Sequence, residues 1–496
     1  MLLPLPTDRK RAAVVDLGSN SVRLVVFEGQ SRNPLPIFNE KAVLRLGRGL
    51  QTTGRLNDEG VGQALVVMAR YYALARAMHA DPFEVLATAA VRDAENGPDF
   101  VAALERIMPG VPILVLSGHE EAALSAQGVL CGMPQARGIL ADIGGGSLEV
   151  VRLDGGQAQD AATLRLGVIR LADRAGGDPA KARTLVDTDL ASVPWLGQEP
   201  GQDLLLVGGA WRAMARIHMA QTGYPLNMVH HYTISRDEAR DLTGVIASAS
   251  PKGLERLPAV PRRRMEDLPY AALVLRRLLR TTGCRRVVFS ANGLREGWYM
   301  RTIPPEIAAR DPLRAVAEED ARLYSRDPAL PGRLCAWTDG LFPDETEEQR
   351  RLREACCLMS DIGHHDHPEF RAEQAFHYLL RQPGSGLDHH GRAFLGLTIA
   401  MRYEADPASP WLLPARLLLD SAAALRADIL GHALRLAYTL SGGTPALLAL
   451  AGLNARDGAL ELRLHRGGGV FAGESVVRRL EQLAQIMGLR PMITEG

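Results

Sequence analysis

Apolar residues in the first part of the chain fall into short runs broken by Gly, Asn, Asp and Pro, the pattern of strands separated by turns. Residues 12–16 form such a run and predict a buried strand. Gly18-Ser19-Asn20 predicts a tight turn, with residues 21–28 returning as a second strand. A long helix is expected to open at Asn57-Asp58 and continue to His79, with Leu65, Met68, Ala69 and Tyr72 on one face. A short strand over 84–87, a helix from Gly97-Pro98-Asp99 and a strand over 112–116 follow. Strands alternating with helices in this way predict an α/β sheet.

The same alternation continues with a strand over 204–207 entering Gly208-Gly209, helices over 210–221 and 267–280, and a strand over 287–290. Beyond Asp311-Pro312 the pattern becomes helical to about residue 430. The last stretch has a turn at Ser441-Gly442-Gly443, strand-like alternation over Leu460-Glu461-Leu462-Arg463-Leu464, a Gly-rich segment at 467–469 and an amphipathic helix near 475–487. A chain of 496 residues exceeds what one hydrophobic core organises. Four domains are expected, at residues 1–134, 135–310, 311–430 and 431–496.

One long-range feature stands above these local patterns. Asp16-Leu17-Gly18-Ser19-Asn20-Ser21-Val22-Arg23-Leu24-Val25 matches Asp142-Ile143-Gly144-Gly145-Gly146-Ser147-Leu148-Glu149-Val150-Val151 at a constant offset of 126 residues. A domain-sized offset predicts two similar lobes rather than a short-period array. Two facing lobes would aim both glycine turns at one cleft.

In such turns glycine lets backbone N–H groups approach an anion without a Cβ in the way, and Ser19, Ser21 and Ser147 add hydroxyl donors. The leading aspartates would repel phosphate directly, but they suit a Mg²⁺ ion that bridges to phosphate oxygens. An ordinary strand-ending turn has the same composition, and it is the repetition that favours phosphate.

Composition changes this picture little. Hydrophobic residues make up 46% and charged residues 23%, and 57 basic residues balance 57 acidic ones. Attraction to an anionic polymer must then come from local clusters. Two such clusters are candidates: Arg262-Arg263-Arg264, and Arg276, Arg277, Arg280, Arg285 and Arg286. Solvated loops and helix faces explain both runs equally well. The five cysteines include no CxxC pair, which fits a reducing, cytoplasmic setting. Leu2, Leu3 and Leu5 precede Arg9-Lys10-Arg11, the reverse of a signal peptide's charge order, and no apolar run approaches the roughly 20 residues that span a bilayer. A soluble protein with neither a membrane nor a nucleic-acid partner is expected.

These motifs resemble the two phosphate loops of the exopolyphosphatase and guanosine pentaphosphate phosphohydrolase (Ppx/GppA) family. Three further segments match in the family's order: Ala87-Thr88-Ala89-Ala90-Val91-Arg92-Asp93-Ala94-Glu95-Asn96, Leu116-Ser117-Gly118-His119-Glu120-Glu121-Ala122, and Phe289-Ser290-Ala291-Asn292-Gly293-Leu294-Arg295-Glu296-Gly297. The resemblance covers residues 12 to about 300. It implies two actin-like (ribonuclease H-like, ASKHA) α/β lobes, a homodimer, and hydrolysis of the terminal phosphate of inorganic polyphosphate or of pppGpp.

It also implies roles for individual residues. Glu121 becomes the general base, although spacing alone does not separate it from Glu120, which a helix N-terminus would favour equally. Adjacent helical residues point about 100° apart, so at most one faces the cleft. Arg92 becomes a phosphate contact. Asp142 is the foremost ligand for Mg²⁺ or another divalent cation, with Asp16 and Glu149 assisting, while a solvated strand position stays open for Glu149. Gly18, Ser19, Asn20, Ser21, Gly144, Gly145, Gly146 and Ser147 are expected to bind phosphate. So are Gly208 and Gly209, where many members carry a Gly-Thr pair and this chain continues Ala210-Trp211-Arg212, whose arginine would supply charge. Arg295 and Glu296 read as a pair opening a helix. The family's Arg-Ala-Asp reads here as Arg264-Met265-Glu266.

The helical region resembles the HD-type fold of longer members, through Ser360-Asp361-Ile362-Gly363-His364-His365-Asp366-His367 and Asp388-His389-His390, and a small α/β tail ends the chain. An HD metal site needs His before Asp361, where Ser360 stands. The preferred substrate is polyphosphate, with pppGpp next. A kinase on the same fold or a binding-only sensor of polyphosphate or alarmone are the readings from other classes.

Overall fold

The computed structural model describes residues 10–384, 386–465 and 468–495. The leucines and Arg9 of the N-terminus, and Gly467 of the Gly-rich segment, lie outside the described residues. The chain divides into two compact units, Met1–Arg310 and Asp311–Gly496.

The first unit holds two sheets. One contains β1 (Arg11–Leu17), β2 (Ser21–Glu28), β3 (Pro36–Val43), β4 (Ala80–Ala87) and β5 (Ile113–Val115) in the order β3-β2-β1-β4-β5. The other contains β6 (Gly138–Ile143), β7 (Leu148–Asp154), β8 (Gln157–Leu164), β9 (Asp203–Val207), β10 (Tyr232–Ser235) and β11 (Arg286–Phe289) in the order β10-β11-β9-β6-β7-β8. In each, a three-stranded antiparallel meander continues into parallel strands, so β3-β2-β1-β4-β5 and β8-β7-β6-β9-β11 have one topology. Register follows the repeat: Asp16 pairs with Arg23, and Asp142 with Glu149. The central strands are buried on both faces, which is why β1 and β6 read as unbroken apolar runs.

Packing does not follow the expected boundary at residue 134. The helix Gly118–Gly132 comes after the first sheet, yet Ala122, Ala126 and Val129 pack on Leu140, Val151 and Leu205 of the second. The helix Leu294–Thr302 comes after the second sheet, yet Trp298 and Tyr299 pack on Val14, Val25 and Phe27 of the first. Each sheet is thus covered by the helix that follows the other. The two helices cross through glycines: a Cβ on Gly128 would lie 1.9 Å from the Gly293 carbonyl oxygen, and one on Gly297 would lie 1.9 Å from that of Leu124.

The long helix forms as Asp58–Ala77 with Asn57 as N-cap, its side chain accepting from Gly60 N. Its buried stripe is Gly60, Ala64, Met68, Tyr71 and Ala75, whereas Ala69 is exposed and Leu65 and Tyr72 are half-buried. The expected face is rotated because small residues carry the contact, and because Tyr71 satisfies its hydroxyl by donating to the Glu40 carbonyl at 3.2 Å.

In the second unit the helices Pro312–Tyr324, Leu330–Asp339, Glu347–Leu358 and Arg371–Arg381 precede His389–Arg402, nearly every residue of which is buried. The expected boundary at 430 falls inside one continuous helix, Ser421–Ser441. A sheet of β12 (Ala451–Arg456), β13 (Ala459–Leu464) and β14 (Arg490–Glu495) follows, with the helix Glu474–Met487 as the crossover between its parallel pair. No helix among the described residues is long and apolar enough to cross a membrane.

The helix crossing yields a paired stability test. Gly128→Ala must push the crossing helices apart and is expected to cost about 1–3 kcal/mol. Gly62→Ala, on the exposed face of Asp58–Ala77 with nothing within 4 Å of the added methyl, should instead gain about 0.8–1 kcal/mol. Denaturant melts of the two variants check both signs.

Candidate active site

Each glycine turn is closed by the same backbone bond, Gly18 N to Ser21 O at 3.1 Å and Gly144 N to Ser147 O at 3.0 Å. Both are braced from behind. Leu44 N and Arg45 N donate to Asn20 O, and Gly47 N donates to Ser19 O at 2.9 Å. Val168 N donates to Gly144 O, while Ile169 N and Arg170 N donate to Gly145 O. Carbonyls engaged in this way are not free to repel an anion. The two turns touch: a Cβ on Gly146 would lie 2.6 Å from Ser19 Oγ, and one on Gly145 would lie 3.1 Å from Ser19 Cβ. They form one wall of a cavity of about 170 Å³, which Gly208 and Gly209 also line. Gly208 has φ 117°, and a Cβ there would strike the Ile143 carbonyl oxygen.

Four carboxylates face this cavity. Asp16 and Asp142 end β1 and β6, and Ser125 Oγ donates to Asp142 Oδ2. Glu149, 4% exposed, is a buried cavity residue rather than a solvated strand position, and its Oε1 has no hydrogen-bond partner. Burial, then the nearby Glu121 and Asp142, push Glu149 well above the carboxylate range, and burial likewise raises Asp142.

The adjacent glutamates separate cleanly. Ser117 caps the helix Gly118–Gly132 and closes a capping box with Glu120, whose Oε2 accepts from Ser117 N at 2.7 Å on the exposed face. Glu121, one residue on, turns into the cavity and is 6% exposed. Its Oε1 accepts from Arg92 Nη1 at 2.5 Å, and the same nitrogen donates to Leu116 O at 2.7 Å. Burial raises Glu121 to about 7, against the pull of Arg92 and with a further push from Asp142 and Asp16.

The same cavity is lined by a cationic group of Arg23, Lys41, Arg212, Arg264 and Arg295. Desolvation and the neighbouring Arg264 and Arg23 depress Lys41 to about 7. Burial and Arg295 lower Arg212 to about 10, and its Nη1 donates to Ala291 O at 2.9 Å. Cations crowded together without enough anions lower one another's charge affinity, an arrangement that a polyanion relieves. Three residues had no role in the sequence reading: Arg23 and Lys41, which line the cavity, and Ser125, which bonds Asp142. Arg23 and Lys41 are register partners across β2 and β3, and Arg23 occupies the repeat position of Glu149. Ser125 lies four residues beyond Glu121, on the same helix face.

Other expectations change. Arg92 does not line the cavity; it is held by Glu121, Leu116 O and, at 3.2 Å, Asp93. Arg264 pairs with Asp267 at 3.1 Å, while Glu266 is exposed, so the carboxylate partner stands one residue later than the motif implied. Glu296 accepts from Gly293 N at 2.9 Å as a helix cap, leaving Arg295 to the cavity. Three of the five arginines of the second basic group are held by acids, while Arg276 and Arg280 are exposed. Arg277 is bound by Asp187, and both Arg285 and Arg286 by Asp203. Of Arg262-Arg263-Arg264, the last lines the cavity.

In the second unit Asp361, 2% exposed, is taken by Arg326 at 3.0 Å and Arg402 at 3.5 Å. Ser360 Oγ donates to Cys357 O at 2.8 Å and stands 2.8 Å from the Tyr438 hydroxyl. Asp388 caps His389–Arg402 by accepting from Gly391 N at 2.7 Å. Among the described residues no three His, Cys, Asp or Glu side chains are clustered to hold a metal ion, in either unit.

Comparison with known proteins bears on the family and the fold. The model described as "Ppx/GppA phosphatase family" matches residues 25–306, and that described as "Exopolyphosphatase, C-terminal" matches residues 313–493. Exopolyphosphatase 1 of Mycobacterium bovis is 28% identical over 308 residues, spanning 60% of this chain and 89% of its own. Exopolyphosphatase 2 of Mycobacterium tuberculosis is 29% identical over 262 residues, 47% of this chain and 78% of its own. Among solved structures, the exopolyphosphatase of Cytophaga hutchinsonii superposes with a TM-score of 0.54 at 20% identity, covering 60% of this chain and 99% of that one. The Ppx/GppA family member of Aquifex aeolicus superposes at 0.52, with 20% identity, covering 60% and 98%. These likenesses give the first unit the actin-like α/β fold of those proteins. With the family's sequence profile running from β2 to the helix after β11, the chain belongs to the Ppx/GppA phosphatase family.

Proposed function

We propose that this chain is an exopolyphosphatase that removes the terminal phosphate of inorganic polyphosphate by direct attack of water. The observation that carries the reading is Glu121: a buried carboxylate raised to about 7, held by Arg92, at a cavity shared by two touching glycine turns. The names of the mycobacterial relatives and of the C-terminal family point the same way.

Glu121 takes a proton from water as the water oxygen bonds to the terminal phosphorus. The bridging P–O bond breaks, and orthophosphate and a chain shorter by one unit leave. Ser19, Asn20, Ser21, Gly145, Gly146 and Ser147 hold phosphate oxygens through N–H and hydroxyl donors, while Gly18 and Gly144, whose own N–H groups close the turns, shape them, and Gly208 and Gly209 at the end of β9 add a further backbone wall. Arg23, Lys41, Arg264 and Arg295 bind the negative charge of the following phosphates. Arg92 orients the base.

Mg²⁺ or a similar divalent cation suits the acid wall. Glu149 Oε1 is buried without a partner and Asp142 is desolvated, so both gain from a cation. Without a three-donor cluster, the fit is to an ion held by one or two carboxylates and completed by water and phosphate oxygens. Asp142 would hold it, with Asp16 and Glu149 beside it; when bound, it neutralises phosphate oxygens in the transition state. The helical unit is read as HD-like but without a metal centre, because Asp361 is neutralised by arginines. A homodimer is part of the reading through family resemblance.

Glu121→Gln is expected to lower turnover of long-chain polyphosphate by about 10²–10⁴, with substrate binding largely kept; wild-type phosphate release would overturn the base assignment. The base works ionised, and burial places its titration near 7, so wild-type kcat/KM should fall as pH drops below about 7. In a thermal-shift titration with MgCl₂, Asp142→Asn should show a smaller rise in Tm than wild type. With long polyphosphate, pppGpp and ATP compared in one phosphate-release assay, polyphosphate should turn over fastest, and faster pppGpp turnover would reverse that order.

A further inference from the structure

Behind Glu121 runs a line of charge that the cavity itself does not use. Arg92 gives Nη1 to Glu121 at 2.5 Å and Nε to Asp93 Oδ1 at 3.2 Å. The other oxygen of Asp93 accepts from Arg170 Nη2 at 2.5 Å. Glu121, Arg92, Asp93 and Arg170 therefore alternate in sign. The line crosses from the helices after β4 and β5 to the helix Val168–Ala175, which follows β8 of the other sheet.

Arg170 is an unusual residue to find there. Its side chain is 5% exposed, and Asp93 supplies its counter-charge. Burying a guanidinium costs several kcal/mol unless it is paired, and Arg170 contributes nothing to the cavity lining. Its backbone has a different task. Arg170 N, with Val168 N and Ile169 N, braces the carbonyls of Gly144 and Gly145 in the second phosphate turn. The same short helix reaches the first lobe again, where Asp173 Oδ2 accepts from Gly49 N at 3.1 Å, close to the segment that braces the first turn. One residue thus joins the backbone of a phosphate turn to the side chain that aims the base.

We propose that Arg170 is a positioning residue for Glu121, acting through Asp93 and Arg92. The inference rests on Glu121 being the base. Without Arg170, Asp93 and Glu121 compete for the single guanidinium of Arg92. Arg92 then moves toward the uncompensated Asp93, and Glu121 loses its alignment. With Arg170 in place, Asp93 is neutralised and Arg92 is left to Glu121. Because Arg170 is fixed to the second phosphate turn, the base is aligned only when both lobes hold their places around the cavity.

The test is a mutant cycle on the full chain, with long-chain polyphosphate as substrate and kcat and KM read separately. Arg170→Met is expected to lower kcat by on the order of 10–10²-fold, the scale of a misaligned reacting group, with KM little changed. Arg170→Gln serves if Arg170→Met does not fold, and adding Asp93→Asn to either, which removes the carboxylate that competes for Arg92, should restore kcat toward wild type. The double variant Arg92→Met/Arg170→Met should lose no more kcat than Arg92→Met alone, because both changes cut one line. Multiplying losses would overturn the proposal and leave Arg170 as a merely structural ion pair, as would wild-type kcat in Arg170→Met or a loss that Asp93→Asn does not relieve. Glu121→Gln in the same assay separates the two levels. If it is inactive while the cycle multiplies, the relay alone fails; if it turns over at the wild-type rate, the base assignment fails and the relay with it.

Discussion

Two glycine turns that touch with only the Ser19 side chain between them are the constraint on which the rest depends. Gly145 and Gly146 approach Ser19 so closely that a single added methyl would not fit. That distance brings the turns of both sheets to one cavity. It also sets the size of the cavity and dictates that Asp16 and Asp142, each ending the strand before its turn, face a common space. Charges brought this close cannot all be satisfied by one another, and the chemistry follows from that imbalance.

The imbalance is sorted by sheet position. Across from Asp16 the chain carries Arg23, and across from Asp142 it carries Glu149. One copy of the duplicated hairpin therefore supplies a cation and the other an anion. With Lys41 and Arg264 beside Arg23, and Glu121 beside Glu149, the cavity becomes polarised. A polyphosphate chain with an accompanying cation complements both walls, whereas a neutral ligand complements neither.

Much of the first unit was legible in the sequence because the repeat is strict at backbone-determining positions. The strand–turn–strand units and the shared cleft follow from residues that must be Gly, Ser or Asp, whereas the choice of Glu121 over Glu120 came from family resemblance, because spacing left both open. What escaped reading depends on partners distant in sequence. Arg264 could not be matched to Asp267 rather than Glu266 without knowing which way its turn faces. Arg277, Arg285 and Arg286 look like a basic surface until Asp187 and Asp203 come beside them. Lys41 sits on a strand of mixed polarity, and its importance appears only from its register with Arg23. The stripe of Asp58–Ala77 was misplaced because Gly60 and Ala64 make close contacts that hydrophobicity underweights. Asp361 carries the signature of a metal ligand, and two arginines from elsewhere in the helical unit convert it into an ion-pair centre.

The exchange of covering helices bears on how this architecture can be divided. Although the sheets look like two copies of one module, neither copy owns the helix that seals it. A fragment ending before Leu294 would take Trp298 and Tyr299 from Val14, Val25 and Phe27, and one starting after Gly132 would strip Ala122, Ala126 and Val129 from Leu140, Val151 and Leu205. Each fragment would expose a greasy face and invite aggregation. The duplication is therefore locked: the halves can diverge in charge and in detail, as Arg23 and Glu149 have, but they cannot be separated, shuffled or inherited alone.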